Sequence, residues 1–520
     1  MVLRRPSPWL RRLVLASVRL ALAARHRFFR GVARLRFGSP VFERDLLGSR
    51  LTKASRFTLP KILEGVVRAN IEEHGPQAVW KTVSAVLEGD ASDARLPSPL
   101  RRLFIATIRA LSDDSLGLSL KLGERFIDRV DDKPSLRTLA RLHKRAGAIH
   151  RPLELLARQR ELGGKSLSLE AKLSKDAELL DSGMSWATGA RRTWEPASSN
   201  RILYYLAQSL PHHSSGYAIR SHWLLKGLKA KSWDIGGVTR FGYPNDRYDF
   251  LGVSLVDAEA EIDGIHYRFA PDKRGFRELD EAKYHQRAVD TLIEQAAEIR
   301  PALLHCASNY QVGLAGTAAA RCLGIPSLYE IRGLWHMTRA SKVPQYEDSE
   351  HYRLTQSLEV QAAKNADHVL AITSAIRDIL VEEGVDSDRI TVVPNAVNVD
   401  NFVPCPRDVD LEAELDLSGK TVIGFIGSFA AYEGLDYLLD AASGLKESFG
   451  DRFQLLLVGD GLVDSELRAQ ARRLGIEDRV LFTGRIPHEQ VPKYYSLIDI
   501  AVFPRKGVRV CEVVSPLKPF

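Results

Sequence analysis

At 520 residues, 45% of them hydrophobic and 27% charged, the chain has the make-up of a globular protein and is too long for one ordinary domain. Its formal charge of +8 is unevenly spread: residues 1–42 hold ten arginines and no acidic side chain, so the rest is slightly acidic and gives no ground for reading the main body as a nucleic-acid binder. Cys306, Cys322, Cys405 and Cys511 lie far apart with no CxxC pair, which argues against a zinc ribbon or a disulfide framework and fits a reduced, cytoplasmic compartment.

Residues 1–50 form a basic arm. Arg19 interrupts the apolar run Leu13 to Val18 and no small-residue cleavage site stands out, so a secretory leader is not expected. Nowhere do eighteen apolar residues run together, so no membrane span is expected either. At helical spacing Trp9, Leu13, Leu20, Phe28 and Val32 share part of one side while arginines take much of the rest. That pattern suits a helix lying peripherally on an anionic membrane surface, the inner face for a cytoplasmic protein; a solvated basic tail is the plain alternative.

Residues 51–190 read as helices, with turns marked by Gly75-Pro76, Pro97-Ser98-Pro99 and Gly163-Gly164. Ser135 to Glu161 has the small-apolar spacing of a tetratricopeptide-like hairpin, an array that would offer a surface to a protein partner. An irregular helical bundle accounts for the pattern equally well. Ser182 to Asn200 is the expected linker.

From Arg201 apolar strands alternate with helices. RILYYLAQSLP leads through Gly216 into a helix, WDIGGVTRFGYP returns as a strand, and LLHCAS, SLYEIRG and DHVLAITS follow, each separated by a helix. An Asn-rich turn within VVPNAVNVDNF closes this segment, residues 201–395. Residues 396–520 repeat the scheme in TVIGFIGSF, FQLLLVGDG, VLFTG and IDIAVFP. Continuous apolar strands of this kind belong to parallel sheets buried on both faces, in which ligands sit outside the carboxyl ends of the strands. Gly427, Gly459, Gly461 and the Pro504 to Lys506 corner are therefore expected to face a bound molecule. Gly424, Gly427 and Gly434 do not make a GxGxxG fingerprint, which leaves a dinucleotide oxidoreductase poorly supported.

In order and spacing these motifs, from the Gly216 loop through ADHVLAITSAIRDILVEEG, ITVVPNAVNVDNF, YEGLDYLL, LLLVGDG and FTGRIPHEQVPKYYSLIDIAVFP, resemble family four (group 1) retaining glycosyltransferases of the GT-B fold. The resemblance implies an α/β fold of two facing Rossmann-like domains, preceded here by the all-α region. It also implies a nucleotide-sugar donor bound by the carboxy-terminal domain, a glycan or lipid-linked acceptor bound by the amino-terminal one, and transfer with retention and without a metal or other cofactor. Because SPLKPF reads as the approach to a helix that the sequence does not enter, the second domain is expected to be incomplete and transfer impaired.

The chemistry dictates which residue types are needed. A departing nucleoside diphosphate gathers negative charge, so cations and helix-start N–H groups must face it. In the family an arginine and a lysine follow the position of Gly427; here those places hold Ser428 or Phe429 and Glu433. The nearest replacements are Arg505, Lys506 and Lys518, with Lys518 favoured, and Glu512 resembles the first of two family glutamates. Gly216, Tyr217 and Arg332 are the expected acceptor or phosphate contacts, with a structural Arg332–Glu330 pair as the alternative. His305 and Asn309 are the catalytic candidates at a strand end, and Asn395 is expected to shape the turn between domains. A scaffold protein with a defective transferase fold is the rival from another functional class.

Overall fold

The computed structural model describes residues 58–88, 95–96, 98–165, 168–183, 192–247, 250, 254, 256–272 and 279–520. The basic arm and its expected membrane contact lie outside the described residues, as does much of the expected linker. The described residues fall into two compact units, one holding those up to Gly183 together with 348–352, the other holding the remainder.

The first unit is helical throughout, in helices Thr58–His74, Pro76–Glu88, Ser98–Asp114, Leu116–Arg125, Lys133–Arg145, His150–Glu161 and Ser168–Ser182. Phe104, Leu111, Leu122, Leu136, Leu139, Ile149 and Leu156 are fully or almost fully buried and form its core. The hairpin expected from Ser135 is present as Lys133–Arg145 and His150–Glu161, opened by Asp132, whose carboxylate accepts from the Ser135 amide at 3.0 Å. Gly123 is glycine for packing: a Cβ there would lie 2.2 Å from Leu139 Cδ2. The second helix of the hairpin has no side-chain cap of its own. Glu350 serves instead, accepting from the Ile149 and His150 amides and from His150 Nδ1, the last at 2.6 Å. Its hydrogen bond to Glu350 raises the His150 pKa above the usual imidazole range.

The second unit contains two sheets. The first has eight strands in the order β3-β4-β2-β1-β5-β6-β7-β8. They are β1 (Arg201–Leu206), β2 (Asp234–Gly242), β3 (Glu259–Ile262), β4 (Ile265–Pro271), β5 (Leu303–Ala307), β6 (Ser327–Ile331), β7 (His368–Ala371) and β8 (Ile390–Val392). All pairings are parallel except that of β3 with β4. That hairpin escaped the sequence reading, although the Asp263-Gly264 turn, with φ of 51° and 72°, carries the usual signature of a tight two-residue loop. The second sheet has the order β11-β10-β9-β12, all parallel. Its strands are β9 (Thr421–Ile426), β10 (Phe453–Val458), β11 (Val480–Gly484) and β12 (Ile500–Ala501).

Strand β10 is buried along its whole length, as a central parallel strand should be. Edge strand β12 departs from expectation: it is two residues long and both are exposed, so the apolar run IDIAVFP makes little sheet. In each sheet the order reverses beside the first strand, at β1/β5 and at β9/β12. Such switch points leave a crevice at the carboxyl ends of the strands, because the flanking connections diverge to opposite faces.

Candidate functional site

At the first switch point Ser215 caps helix Gly216–Ala230 and accepts from the Ala218 amide. Gly216 opens that helix, and a Cβ there would touch Leu517 at 3.4 Å. Tyr217 is partly exposed beside it. At the end of β5, Ser308 and Asn309 both have positive φ, 55° and 48°, an unusual backbone for two consecutive non-glycine residues. Asn309 caps helix Tyr310–Leu323 by accepting from the Val312 amide at 2.9 Å. Its Nδ2 is buried without a hydrogen-bond partner among the described residues. His305 is buried in β5, its ring centroid 4.4 Å from that of Tyr204 and its Nε2 3.4 Å from Glu330 Oε2.

Glu330 organises the polar core behind this crevice. The carboxylate is almost fully buried and accepts from Arg332 Nε and Nη2, from Arg220 Nε and Nη2, and from the Tyr204 hydroxyl at 2.6 Å. Burial pushes its carboxyl up, yet the Arg332 guanidinium and the His305 ring hold it well below the usual carboxylate range. Arg332, itself buried, also donates to Tyr217 O, Ser221 Oγ and the Tyr204 hydroxyl. Its guanidinium is thus spent on the fold. The structural pairing with Glu330, the alternative reading of Arg332, is what the geometry shows.

Arg220 Nη1 donates to Asn395 Oδ1, and Asn395 Nδ2 donates to Ser515 O and Oγ at 2.9 and 3.0 Å. Thr373 Oγ1 donates to Val513 O at 2.7 Å. Residues 513–517 of the second domain therefore rest on the strand ends of the first, and Asn395 ties them to Arg220.

At the second switch point the backbone approaches itself closely. Gly427 follows β9 with φ of 152°, and its amide donates to Val458 O at 2.9 Å. A Cβ on Gly459 would lie 2.1 Å from Gly427 O, and one on Gly461 2.2 Å from Phe429 O. A Cβ on Gly427 itself would lie 2.3 Å from Lys518 Cε, so the lysine stem lies against the turn. The Lys518 ammonium is 2.7 Å from Glu433 Oε1 and 5.2 Å from the Phe425 ring centroid.

The other expected cations are also engaged. Lys506 Nζ donates to Asp436 at 2.6 Å, and Arg505 Nη1 donates to the carbonyls of Val514 and Cys511 at 2.9 and 3.4 Å. Glu512 is exposed and faces Arg509 at 3.3 Å, and Ser428 is exposed at the turn. The structure thus brings Gly427 and Lys518 together at one strand end and Gly216, Tyr217 and Leu517 at another. Glu433, set aside in the sequence as unable to supply positive charge, is the residue that holds Lys518. The signal for that pairing, 85 positions apart, exists only in the fold.

Two Rossmann-like domains thus stand in tandem, tied together through residues 513–517. Residues 215–396 match the family described as "Glycosyl transferase 4-like domain" and residues 408–512 match "Glycosyl transferases group 1", together more than half of the chain. These two matches mark the α/β part of the chain as carrying the two domains of a group 1 glycosyltransferase. The chain is 29% identical over 197 residues to the 2-deoxystreptamine glucosyltransferase of Streptomyces kanamyceticus, covering 37% of this chain and 50% of that protein. It is 27% identical over 222 residues to a GDP-mannose-dependent alpha-mannosyltransferase of Mycobacterium tuberculosis, covering 41% and 52%. Among solved structures, a sucrose-phosphate synthase of Thermosynechococcus elongatus aligns over 59% of this chain and 75% of its own, at 20% identity and a TM-score of 0.46. The chain spans about half the length of the curated relatives it matches.

Proposed function

We propose that the α/β unit binds a nucleotide-sugar and transfers its sugar, with retention and without a metal, to a glycan or lipid-linked acceptor of the cell envelope or an extracellular polysaccharide. The observation that carries this reading is the Lys518 stem lying on the Gly427 turn at the β9/β12 switch point. An ammonium beside close-packed backbone at a strand end is suited to a diphosphate, whose charge grows as the sugar bond breaks. The relatives named for glucosyl and mannosyl transfer support the donor class, one of them by naming GDP-mannose. A charge-assisted hydrogen bond contributes roughly 1.5–3 kcal/mol, so Lys518→Ala is expected to weaken nucleoside diphosphate binding by about one to two orders of magnitude. Calorimetric titration with uridine and guanosine diphosphates checks this, and unchanged affinity would return the clamp to Arg505 and Lys506.

A nucleotide-binding scaffold without turnover is the second reading, favoured by the carboxylates already paired with Lys506 and Lys518. Release of nucleoside diphosphate from a panel of sugar donors separates the two. In the first reading the arginine-rich arm holds the transferase at an anionic membrane. Removal of residues 1–50 is expected to abolish co-sedimentation with anionic vesicles, and salt to weaken it in the intact chain, the Debye length being about 10 Å at 0.1 M. Equal binding with and without the arm would sink that assignment.

A further inference from the structure

Around the Gly427 turn, cations and carboxylates come in pairs. Lys518 faces Glu433 at 2.7 Å, Lys506 faces Asp436 at 2.6 Å and Arg509 faces Glu512 at 3.3 Å. Arg505 alone of these cations rests on carbonyls rather than on a carboxylate. Glu433 and Asp436 stand at the start of helix Leu435–Phe449, where the aligned peptide dipoles would otherwise favour an anion. Glu433 is the more consequential. It is 4% exposed, so water screens it little, and the Gly434 that follows is pinned: its φ is 74° and a Cβ on it would lie 1.9 Å from Pro504 O. The carboxylate cannot readily swing away when an anion arrives.

We infer that Glu433 is a specificity-determining residue that limits how tightly the diphosphate is held and discriminates against the product relative to the donor; this rests on the nucleotide-sugar reading of the site. A phosphate bonded to Lys518 stands one ammonium away from the Glu433 carboxylate, close enough for Coulomb repulsion to oppose it at the effective dielectric of a protein margin. The terminal phosphate of a nucleoside diphosphate ionises a second time near pH 6, by analogy with other phosphate monoesters. In a nucleotide-sugar that oxygen is esterified. Above pH 7 the product therefore carries one more negative charge than the donor and is repelled more. Product release limits many transfer reactions, and a fixed carboxylate behind the clamp cation favours it.

The test uses the full chain and its Glu433→Gln and Asp436→Asn variants. Glutamine keeps the shape of Glu433 and an acceptor for Lys518 while removing the charge. Binding of uridine and guanosine diphosphates and of their glucose and mannose esters is measured by calorimetry at pH 8. Glu433→Gln is expected to tighten the nucleoside diphosphate about tenfold, ~1.4 kcal/mol. The sugar ester should gain about threefold less, because it carries one negative charge fewer for the carboxylate to repel. Asp436→Asn should act in the same direction and more weakly, because Asp436 is 36% exposed against 5% for the Glu433 side chain. Equal or weaker binding by Glu433→Gln, or equal tightening of product and donor, would overturn the inference while leaving the nucleotide site standing. Absence of binding by the wild type and both variants would overturn the nucleotide site itself, and this inference with it.

Discussion

Replacement of Glu330 by alanine is expected to cost about 3–5 kcal/mol of stability, the range seen when one member of a buried ion pair is removed. The loss does not come from a missing contact alone. Glu330 offers the carboxylate that the side chains of both Arg220 and Arg332 share, and each guanidinium would be left with uncompensated charge beneath the sheet. Against a total stability of about 5–15 kcal/mol this is enough to remove much of the folded protein. Soluble yield and denaturant unfolding followed by tryptophan fluorescence check it; a midpoint equal to that of the wild type would show that the arginines find other partners. The pH dependence has a definite sign. A carboxyl held below its ordinary value near 4.5 contributes stability that is present above that value and is lost as pH falls through the lower folded value. Glu330 is therefore expected to contribute a flat stability above pH 5 and to give way only in strong acid.

The second large effect is expected at Gly459. Alanine there meets two obstacles at once: φ of 129°, a region that L side chains rarely adopt, and a Cβ 2.1 Å from Gly427 O. Strained backbone costs about 1–3 kcal/mol and overpacking about as much again. The displacement falls on the Gly427 turn that supports Lys518, so nucleoside diphosphate affinity should drop at least tenfold together with the melting temperature. Gly507→Ala is the control. Its Cβ has nothing within 4 Å, and it should leave stability within about 0.5 kcal/mol of the wild type. Normal nucleotide affinity in Gly459→Ala would show that the turn is not part of the binding surface.

The parallel sheets were legible because their strands are largely apolar runs flanked by glycine, proline, serine or asparagine, and β1, β5, β6, β9 and β10 formed where RILYYL, LLHCA, SLYEI, TVIGFI and FQLLLV stand. The β3–β4 hairpin was missed because Glu259–Ile262 is half polar and exposed on alternate residues, a weak signal beside the buried strands. At the site, glycines were readable from backbone demands, since Gly427 and Gly459 are needed for close approach wherever the strands end. Side-chain roles were harder to read. Arg332 looks like a ligand in sequence and proves to be committed to Glu330, Tyr204 and Ser221. The partnership of Lys518 with Glu433 depends on the packing of residues 513–517, which no local pattern specifies.

Asn395 sits where the first domain gives way to the second, and its side-chain amide has two unlike ends. The oxygen accepts a hydrogen bond from Arg220 and the nitrogen donates to Ser515, so the two domains address opposite poles of one group. Aspartate could answer only the arginine, and leucine neither. A single amide thus works as a coincidence check on chain assembly: it is fully satisfied only when both neighbours have arrived in the correct places.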